Sequence, residues 1–262
     1  SYRNQAADYQ PTKPTAVSIG ERRRPDARGQ PGYLRVDTVH QGDLEGAKGV
    51  YHINAVDTVT QWEIVGCTAK ISESYLIPVL EAMLHQFPFK IQGFHADNGS
   101  EYINHTVARL LNKLLAEFTK SRAYKSQDNA LVEGKNGAII RKHIGWGHIA
   151  SQHAEAMHKF YAAHFNPYLN YHRPCGFVTV TTAVNGKRKP RYKPADYDTP
   201  YDKFKSLEQA VTFFKPGISL AQLDRFAMAM SDTQCAQKML RAKVALLRRI
   251  KLESPFPPRF AP

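Results

Sequence analysis

Segments of β-branched and aromatic residues begin at Gly32, where a polar N-terminal stretch ends. Three such segments, each bounded by turn-forming residues, predict strands over 33–39, 50–57 and 62–67. Because they follow one another at short spacing, they predict an antiparallel meander.

The periodicity then changes to that of helices. From Ser72 to Gln86 the apolar residues recur three and four positions apart, which predicts a helix capped by Ser72. Pro78 lies inside this window, so we expect a distorted first turn or a later start. The pattern beyond it predicts a strand over 90–96, a helix over 101–116, a strand over 118–120, and helices over 129–144 and 152–168.

This order predicts an α/β fold over residues 32–173, a mixed five-stranded sheet flanked by helices. Residues 1–31 are rich in Gln, Pro, Gly and Arg and predict a basic arm or linker. Residues 174–262 predict a smaller basic C-terminal region. It would hold a β-hairpin around Asn185-Gly186 and helices over 207–214 and 220–250, the second broken where Asp232 could cap a new helix.

Composition narrows the class of protein. The 262 residues are 42% hydrophobic, which is enough for a packed core, and no run reaches the roughly 18 apolar residues of a membrane span. No signal peptide opens the sequence, and three distant cysteines without a CxxC motif favour a reducing compartment and argue against zinc. We expect a cytoplasmic, nucleoid-associated protein if the source is bacterial, or a nuclear one if it is eukaryotic, with no membrane partner.

The charge is strongly positive. Lys and Arg number 36 against 23 acidic residues, which gives a net charge of +13. Such an excess is typical of proteins that bind nucleic acid, because each neutralised phosphate releases a condensed counterion. A generic basic surface that keeps the protein in solution is the alternative, and charge alone does not decide between them.

Three carboxylates stand out against this basic background. Asp37 interrupts an apolar strand, Asp97 ends the strand over 90–96, and Glu133 lies one turn into the helix over 129–144. The first and fourth strands are neighbours in the predicted sheet, so these side chains can meet. Three like charges remain ionised together only beside cations, and hard oxygen ligands suit Mg²⁺ or Mn²⁺. Two such ions form the clamp used in phosphoryl transfer.

The sequence around these acids resembles a known family. The matching segments are Val36-Asp37-Thr38, His95-Ala96-Asp97-Asn98-Gly99-Ser100-Glu101-Tyr102 and Val132-Glu133-Gly134-Lys135-Asn136, with the 35 residues 98–132 between Asp97 and Glu133. Together with Asn170-Tyr171-His172-Arg173-Pro174, they make residues 30–173 similar to the catalytic core of retroviral-type integrases and bacterial insertion-sequence transposases, the DDE superfamily.

The resemblance implies a ribonuclease-H-like fold and two divalent ions held by Asp37, Asp97 and Glu133. It implies a polynucleotidyl transferase that cleaves DNA ends and transfers them into target DNA, as a homo-oligomer in a synaptic complex. The sequence departs from the family pattern in two respects, because it shows neither the N-terminal zinc module of integrases nor the helix-turn-helix of insertion-sequence enzymes; loss upstream of Ser1 would explain the missing helix-turn-helix. Two alternatives are a nuclease of this fold without strand transfer and a catalytically silent DNA-binding scaffold.

Basic and aromatic residues supply candidate DNA contacts, each of which could instead be a solvated surface residue. They are Arg22, Arg23 and Arg24 in the arm, Tyr124, Lys125, Lys135, Asn136, Arg141 and Lys142 around Glu133, and Lys187, Arg188, Lys189 and Arg191 in the hairpin.

Three further residues have competing interpretations. Asp57 could replace Asp37 as the first carboxylate, but its position before a turn favours a capping role. Glu101 favours a helix N-terminus over metal contact. His95 lies on the same strand face as Asp97, and a packed or hydrogen-bonded role is favoured over contact with the site.

Overall fold

A mixed sheet of six strands forms the centre of the protein, in the order β1-β6-β5-β2-β3-β4. The structure, a computed structural model, describes residues 20–23, 26–97, 102, 105–113, 116–122, 128–177, 179–182, 188–191 and 193–253. The strands of the sheet are β1 (Glu21–Arg22), β2 (Tyr33–His40), β3 (Tyr51–Asp57), β4 (Glu63–Thr68), β5 (Gly93–Ala96) and β6 (Glu117–Lys120).

The sheet joins an antiparallel part to a parallel part. Strands β2, β3 and β4 form the predicted meander, and β5 runs parallel to its neighbours β2 and β6. The predicted first and fourth strands are therefore adjacent, as expected. The predicted α/β class, a mixed sheet flanked by helices, is confirmed.

The sixth strand, β1, comes from the segment predicted to be an arm. Its two residues pair in parallel with Thr119 and Lys120 of β6, so the sheet has one strand more than the five predicted. Arg23 adds ion pairs to Glu21 and Glu117. A two-residue strand is held through its backbone and leaves no alternating apolar pattern in the sequence.

Two helices cover one face of the sheet, α1 (Glu73–His85) and α2 (His105–Lys113). Helix α1 begins directly after Ser72 and contains Pro78, so the expected later start is wrong. The carbonyl that the missing Pro78 N–H would bond belongs to Ser74, an exposed residue, where water can take its place.

The other face carries two long helical runs, in the two regions where the sequence predicts helices. The first joins α3 (Ala130–Lys135), a π-helical segment (Asn136–Arg141) and α4 (Lys142–Ile144). The second joins a 3₁₀ turn (Ser151–His153), α5 (Ala154–Phe160), a π segment (Tyr161–Phe165) and α6 (Asn166–Tyr171). A π turn holds an extra residue, so it rotates the residues after it by about 100° relative to a regular α-helix.

Hydrophobic clusters fill the space on both sides of the sheet. One packs α1 and α2 against the sheet around Val36 and Phe94, both buried. The other packs the two long helical runs around Val39 and Val65. The result is a three-layer arrangement in which the edge of the sheet after β2 and β5 stays accessible to polar side chains.

The C-terminal region packs onto these layers. It contains β7 (Cys175–Gly176), β8 (Thr179–Thr182), β9 (Arg188–Arg191), a 3₁₀ turn (Pro194–Asp196), β10 (Tyr197–Asp198), α7 (Pro200–Lys205), a 3₁₀ turn (Ala210–Phe213), α8 (Leu220–Met228) and α9 (Asp232–Leu252). Phe204 of α7 joins the first cluster, and Met239 of α9 joins the second. Among the described helices, none has the length and apolar character needed to cross a membrane.

Several C-terminal predictions need correction or lie partly outside the described residues. Strands β8 and β9 pair antiparallel, as the hairpin predicts, but the turn itself, 183–187, is not among the described residues. The helix predicted over 207–214 is only a short 3₁₀ turn. Helix α9 is capped by Ser231, whose hydroxyl accepts from the Gln234 N–H, and Asp232 is the first helical residue.

Candidate active site

Asp37 and Asp97 emerge side by side from neighbouring parallel strands. Val36 of β2 is in register with Ala96, the last residue of β5, and each aspartate directly follows its member of this pair in the chain. Adjacent strands lie about 4.8 Å apart, so this register places the two carboxyl groups at the same level of the sheet edge. Asp37 is half-buried, whereas Asp97, just past the end of β5, is exposed.

Helix α3 brings Glu133 towards the same edge. The side-chain amide of Asn129, immediately before α3, donates to the Val36 carbonyl at 3.4 Å. Asn136, one turn beyond Glu133, donates from Nδ2 to Asp37 Oδ2 at 2.7 Å. These two contacts anchor α3 on both sides of Glu133, which is exposed and one helical turn from the residue that holds Asp37.

The electrostatics show that the neighbouring carboxylates act on Asp37 and on Glu133. Burial raises the pKa of Asp37 from its usual 3.8 to about 6, although hydrogen bonds from the Thr38 N–H and the Asn136 amide oppose the shift. The charges of Asp97 and Glu133 raise it further. Burial and the charge of Asp97 also raise the pKa of Glu133. A cation would relieve this repulsion, so the donor set fits a divalent metal by its charge.

The carboxylates are near one another but do not converge on one point. Within the described part of the chain, no three His, Cys, Asp or Glu side chains are grouped closely enough to hold a metal ion. Asp37 uses one position on each oxygen, for the Thr38 N–H at 2.8 Å and for Asn136. An ionised carboxylate offers about four lone-pair sites, so about two remain for a cation.

Two asparagines form a hydrogen-bonded network that holds the carboxylate of Asp37. Asn54, directly opposite Asp37 on β3, donates from Nδ2 to Asn136 Oδ1 at 3.0 Å. The amide of Asn136 is thereby oriented with its Nδ2 towards Asp37. The sequence analysis did not identify Asn54, although a polar residue between Ile53 and Ala55 of an apolar strand is the same signal that marked Asp37.

Lys135 is a buried structural residue, which contradicts its assignment as a DNA contact. Its ammonium lies 3.5 Å from the carboxylate of Glu63, and the Glu63 side chain is only 2% exposed. Burial raises the pKa of Glu63, while the positive charge of Lys135 opposes the rise. The pair joins α3 to β4 and leaves Lys135 unable to reach a phosphate on the surface.

Arg141 also makes internal contacts, unlike its neighbour Lys142. The guanidinium of Arg141 donates to Gln41 Oε1 at 3.0 Å and to the His40 carbonyl at 2.9 Å, and it stacks on Trp146. These contacts give Arg141 a supporting role, and its phosphate contact stays a prediction. Lys142 is exposed and remains a candidate.

The other candidate DNA contacts differ in their surroundings. Arg22 is exposed on β1, whereas Arg23 is engaged by Glu21 and Glu117. Arg188, Lys189 and Arg191 belong to β9. The remaining candidates lie outside the described residues; they are Arg24, Tyr124, Lys125 and Lys187.

The alternatives to these residues have structural roles. Asp57 is fully buried and accepts from the N–H groups of Gly32 and Thr60 at 2.7 and 2.8 Å, so it closes a turn as expected. His95 is buried between the hydroxyls of Thr119 and Ser121, and burial lowers its pKa to about 3. Glu101 lies outside the described residues.

Comparison with known proteins finds a curated relative for part of this chain, whereas no protein-family model matches the sequence. The relative is the uncharacterized protein y4rM of Sinorhizobium fredii. It is 31% identical over 166 residues, which are 63% of this chain and 47% of that protein. The chain therefore spans about half the length of the curated relative it matches.

Similar solved structures include retroviral integrases. The simian T-cell lymphotropic virus intasome, in complex with PP2A regulatory subunit B56 gamma, shares 19% identity at a TM-score of 0.39, over 53% of this chain and 46% of that one. The HTLV-2 integrase catalytic core domain in complex with magnesium shares 20% identity at a TM-score of 0.35 in its trimeric form and 19% at 0.36 in its dimeric form. Each HTLV-2 match covers 44% of this chain and 70% of that one. TM-scores below 0.5 do not by themselves assign this chain to that fold.

Proposed function

We propose that this chain is the catalytic core and C-terminal part of a DDE transposase or integrase, a metal-dependent polynucleotidyl transferase with a ribonuclease-H-like fold. The observation that supports the proposal is the register of β2 and β5, which pairs Val36 with Ala96 directly before Asp37 and Asp97, together with the hydrogen bond from Asn136 to Asp37, which holds the helical run of Glu133 against β2. The spacing of these acids and the motifs around them give independent support through their resemblance to that family.

The donor set suits Mg²⁺ or Mn²⁺, and we propose that Asp37 and Asp97 would hold one ion jointly and that Glu133 would hold a second with either aspartate. When bound, two such ions supply Lewis acidity that activates the attacking oxygen and stabilises the leaving oxygen of a phosphodiester. Asn136, itself held by Asn54, fixes the orientation of Asp37 before any ligand binds. Such preorganisation removes a cost from the reaction, since the carboxylate need not be ordered during it.

DNA is the proposed substrate, both as the element end that is cut and as the target that is joined. The net charge of +13 supports a polyanionic partner, and exposed Lys142 lies in the same helical run as Glu133. Two ends must be brought together for integration, so we propose that several copies of the chain assemble in a synaptic complex.

A strand-transfer assay with candidate element ends in Mg²⁺ tests the proposal. Asp37→Asn, Asp97→Asn and Glu133→Gln should each abolish cleavage and joining while DNA binding, measured by fluorescence anisotropy, stays near normal. Glu208→Gln, at an exposed acid far along the chain, is the matched control and should react normally.

The two alternatives give different outcomes in the same assay. Cleavage without joined products would identify a nuclease of this fold. DNA binding without either reaction, under conditions that support a reference transposase, would identify a silent scaffold. Near-normal turnover by any of the three neutral variants would show that its residue has been wrongly assigned.

A further inference from the structure

Trp146 is an exposed aromatic residue at the end of the helical run that carries Glu133. Its side chain is 57% exposed, whereas the other tryptophan of the chain, Trp62, is 1% exposed. Gly145 and Gly147 flank it, and a Cβ atom on either glycine would meet nothing within 4 Å. The backbone on both sides of Trp146 is therefore uncrowded.

A buried glutamine holds the backbone on both sides of Trp146. Gln41, which is 0% exposed, donates from Nε2 to the Gly145 carbonyl at 3.2 Å and to the Gly147 carbonyl at 2.5 Å. Its Oε1 accepts from His52 Nε2 at 3.1 Å. Because these hydrogen bonds fix the backbone around Trp146, the side chain is held rigidly. This reduces the conformational entropy that is lost when a ligand binds.

Arg141 completes the support from the side. Its guanidinium carbon lies 4.3 Å from the centroid of the Trp146 ring, and its two terminal nitrogens are fixed by Gln41 and by the His40 carbonyl. The cation is thus held against the indole by contacts that do not depend on the indole. It positions the ring and makes the surroundings attractive to a nucleic acid.

The distance to the proposed catalytic centre suits a nucleic-acid chain. Arg141 follows Glu133 by eight residues within one helical run, which corresponds to at most about 12 Å along the helix axis at about 1.5 Å per residue, because the π segment Asn136–Arg141 rises less per residue. That is about three to four stacked nucleotide steps at about 3.4 Å each.

We propose that Trp146 is a stacking platform for an unpaired nucleobase of the bound DNA, a few nucleotides from the reacting phosphate. This inference rests on the proposed function for its ligand. A base inside a duplex already stacks on its neighbours, so the platform selects DNA whose strand is frayed or single-stranded. Stacking tolerates every base, because each has a π face.

Tryptophan fluorescence tests the platform directly, because the chain has only two tryptophans and one of them is buried. The probes are a blunt duplex, the same duplex with a three-nucleotide unpaired end, and the latter with abasic sites in place of those three bases. Titrations in EDTA exclude cleavage and any effect of the metal. The difference between the wild-type protein and Trp146→Phe isolates the signal of Trp146.

The unpaired end should quench the Trp146 signal, whereas the blunt and abasic probes should not. Trp146→Ala should bind the unpaired end about 5-fold to 150-fold more weakly, which corresponds to about 1–3 kcal/mol for one stacked base. Its affinity for blunt duplex should be unchanged. Phe226→Ala, at an aromatic residue that is 50% exposed on α8, is the matched control and should bind all three probes normally.

Other results would contradict the proposal that a base stacks on Trp146. Equal quenching by the abasic probe, or wild-type affinity of Trp146→Ala for the unpaired end, would show that no base stacks on the indole. A blue shift of Trp146 emission that depends on protein concentration without DNA would identify a contact with a second copy instead. Loss of catalysis in Asp97→Asn with normal quenching would leave the platform intact, so the two proposals fail separately.

Discussion

Replacing Asp37 with Asn should stabilise the protein when no metal is present, although we expect it to abolish activity. The pKa of Asp37 rises from 3.8 to about 6 mainly because the carboxylate is buried. One pKa unit is worth about 1.4 kcal/mol, so ionised Asp37 destabilises the folded state by at most about 3 kcal/mol. Solvent screening at this half-buried position reduces this figure. The loss of one hydrogen bond, worth about 1 kcal/mol because the amide nitrogen of Asn cannot accept, reduces it further, so the expected gain is about 1 kcal/mol.

The gain should depend on pH in a defined direction. Between pH 3.8 and about 6 the folded protein binds the Asp37 proton more tightly than the unfolded chain does. The stability of the wild-type protein therefore falls through this group as pH rises across that window. Asn cannot titrate, so the advantage of Asp37→Asn should be near zero below pH 4 and complete above about pH 7.

Urea denaturation in EDTA, followed by circular dichroism at several pH values, measures this difference. Asp128→Asn provides a control of opposite sign, because a hydrogen bond from Arg122 holds the pKa of Asp128 below its usual range. Neutralising Asp128 should therefore destabilise the protein at pH 7. The reasoning about Asp37 is refuted if Asp37→Asn is less stable than the wild-type protein at pH 7.5 without metal, or if its advantage does not change with pH.

Three further predictions concern the metal, the interior and the hairpin. Millimolar Mg²⁺ or Mn²⁺ should raise the melting temperature of the wild-type protein in calorimetry, and a shift that survives Asp97→Asn would place the ion elsewhere. Lys135→Met should lower the free energy of unfolding by about 3 kcal/mol because it leaves Glu63 buried without its cation. Adding Glu63→Gln should restore most of this loss. If Lys135→Met is as stable as the wild-type protein, the ion pair does not contribute to stability. Alanine at three basic hairpin residues, Lys187, Arg188 and Lys189, should weaken binding to specific and random duplex DNA alike. The slope of log affinity against log salt concentration should become less steep by about 0.9 per lost phosphate contact, and an unchanged slope would show that the hairpin does not contact DNA.

The sequence by itself predicted the order of the main strands and helices along the chain and singled out three acids as candidates. The β-branched and aromatic residues over 33–39 and 50–57 and the apolar spacing after Ser72 are local signals, and they predicted the meander and α1 without any knowledge of packing. Asp37 was conspicuous because an acid within an apolar strand needs a partner. The predicted strands and helix were found because each depends on residues close together in the chain, whereas the roles of the three acids stay predictions.

The tertiary structure decided which basic residues face outwards. Lys135 and Lys142 are seven apart, and on a regular α-helix they would share one face. The π segment between them contains an extra residue and rotates the second part of the run, so Lys135 is buried against Glu63 while Lys142 is exposed. No local pattern in the sequence predicts the π segment, or the contact between Lys135 and Glu63.

The hydrogen bonds that hold Asp37 and the backbone around Trp146 were also visible only in the tertiary structure. Asn54 reaches Asp37 through Asn136, and Gln41 grips the backbone around Trp146 across more than a hundred residues of chain. Hydrogen bonds over such separations depend on how β2, β3 and the helical run pack together. The sequence therefore shows which chemical groups the candidate site contains. The orientation of those side chains depends on contacts that form only when the chain folds.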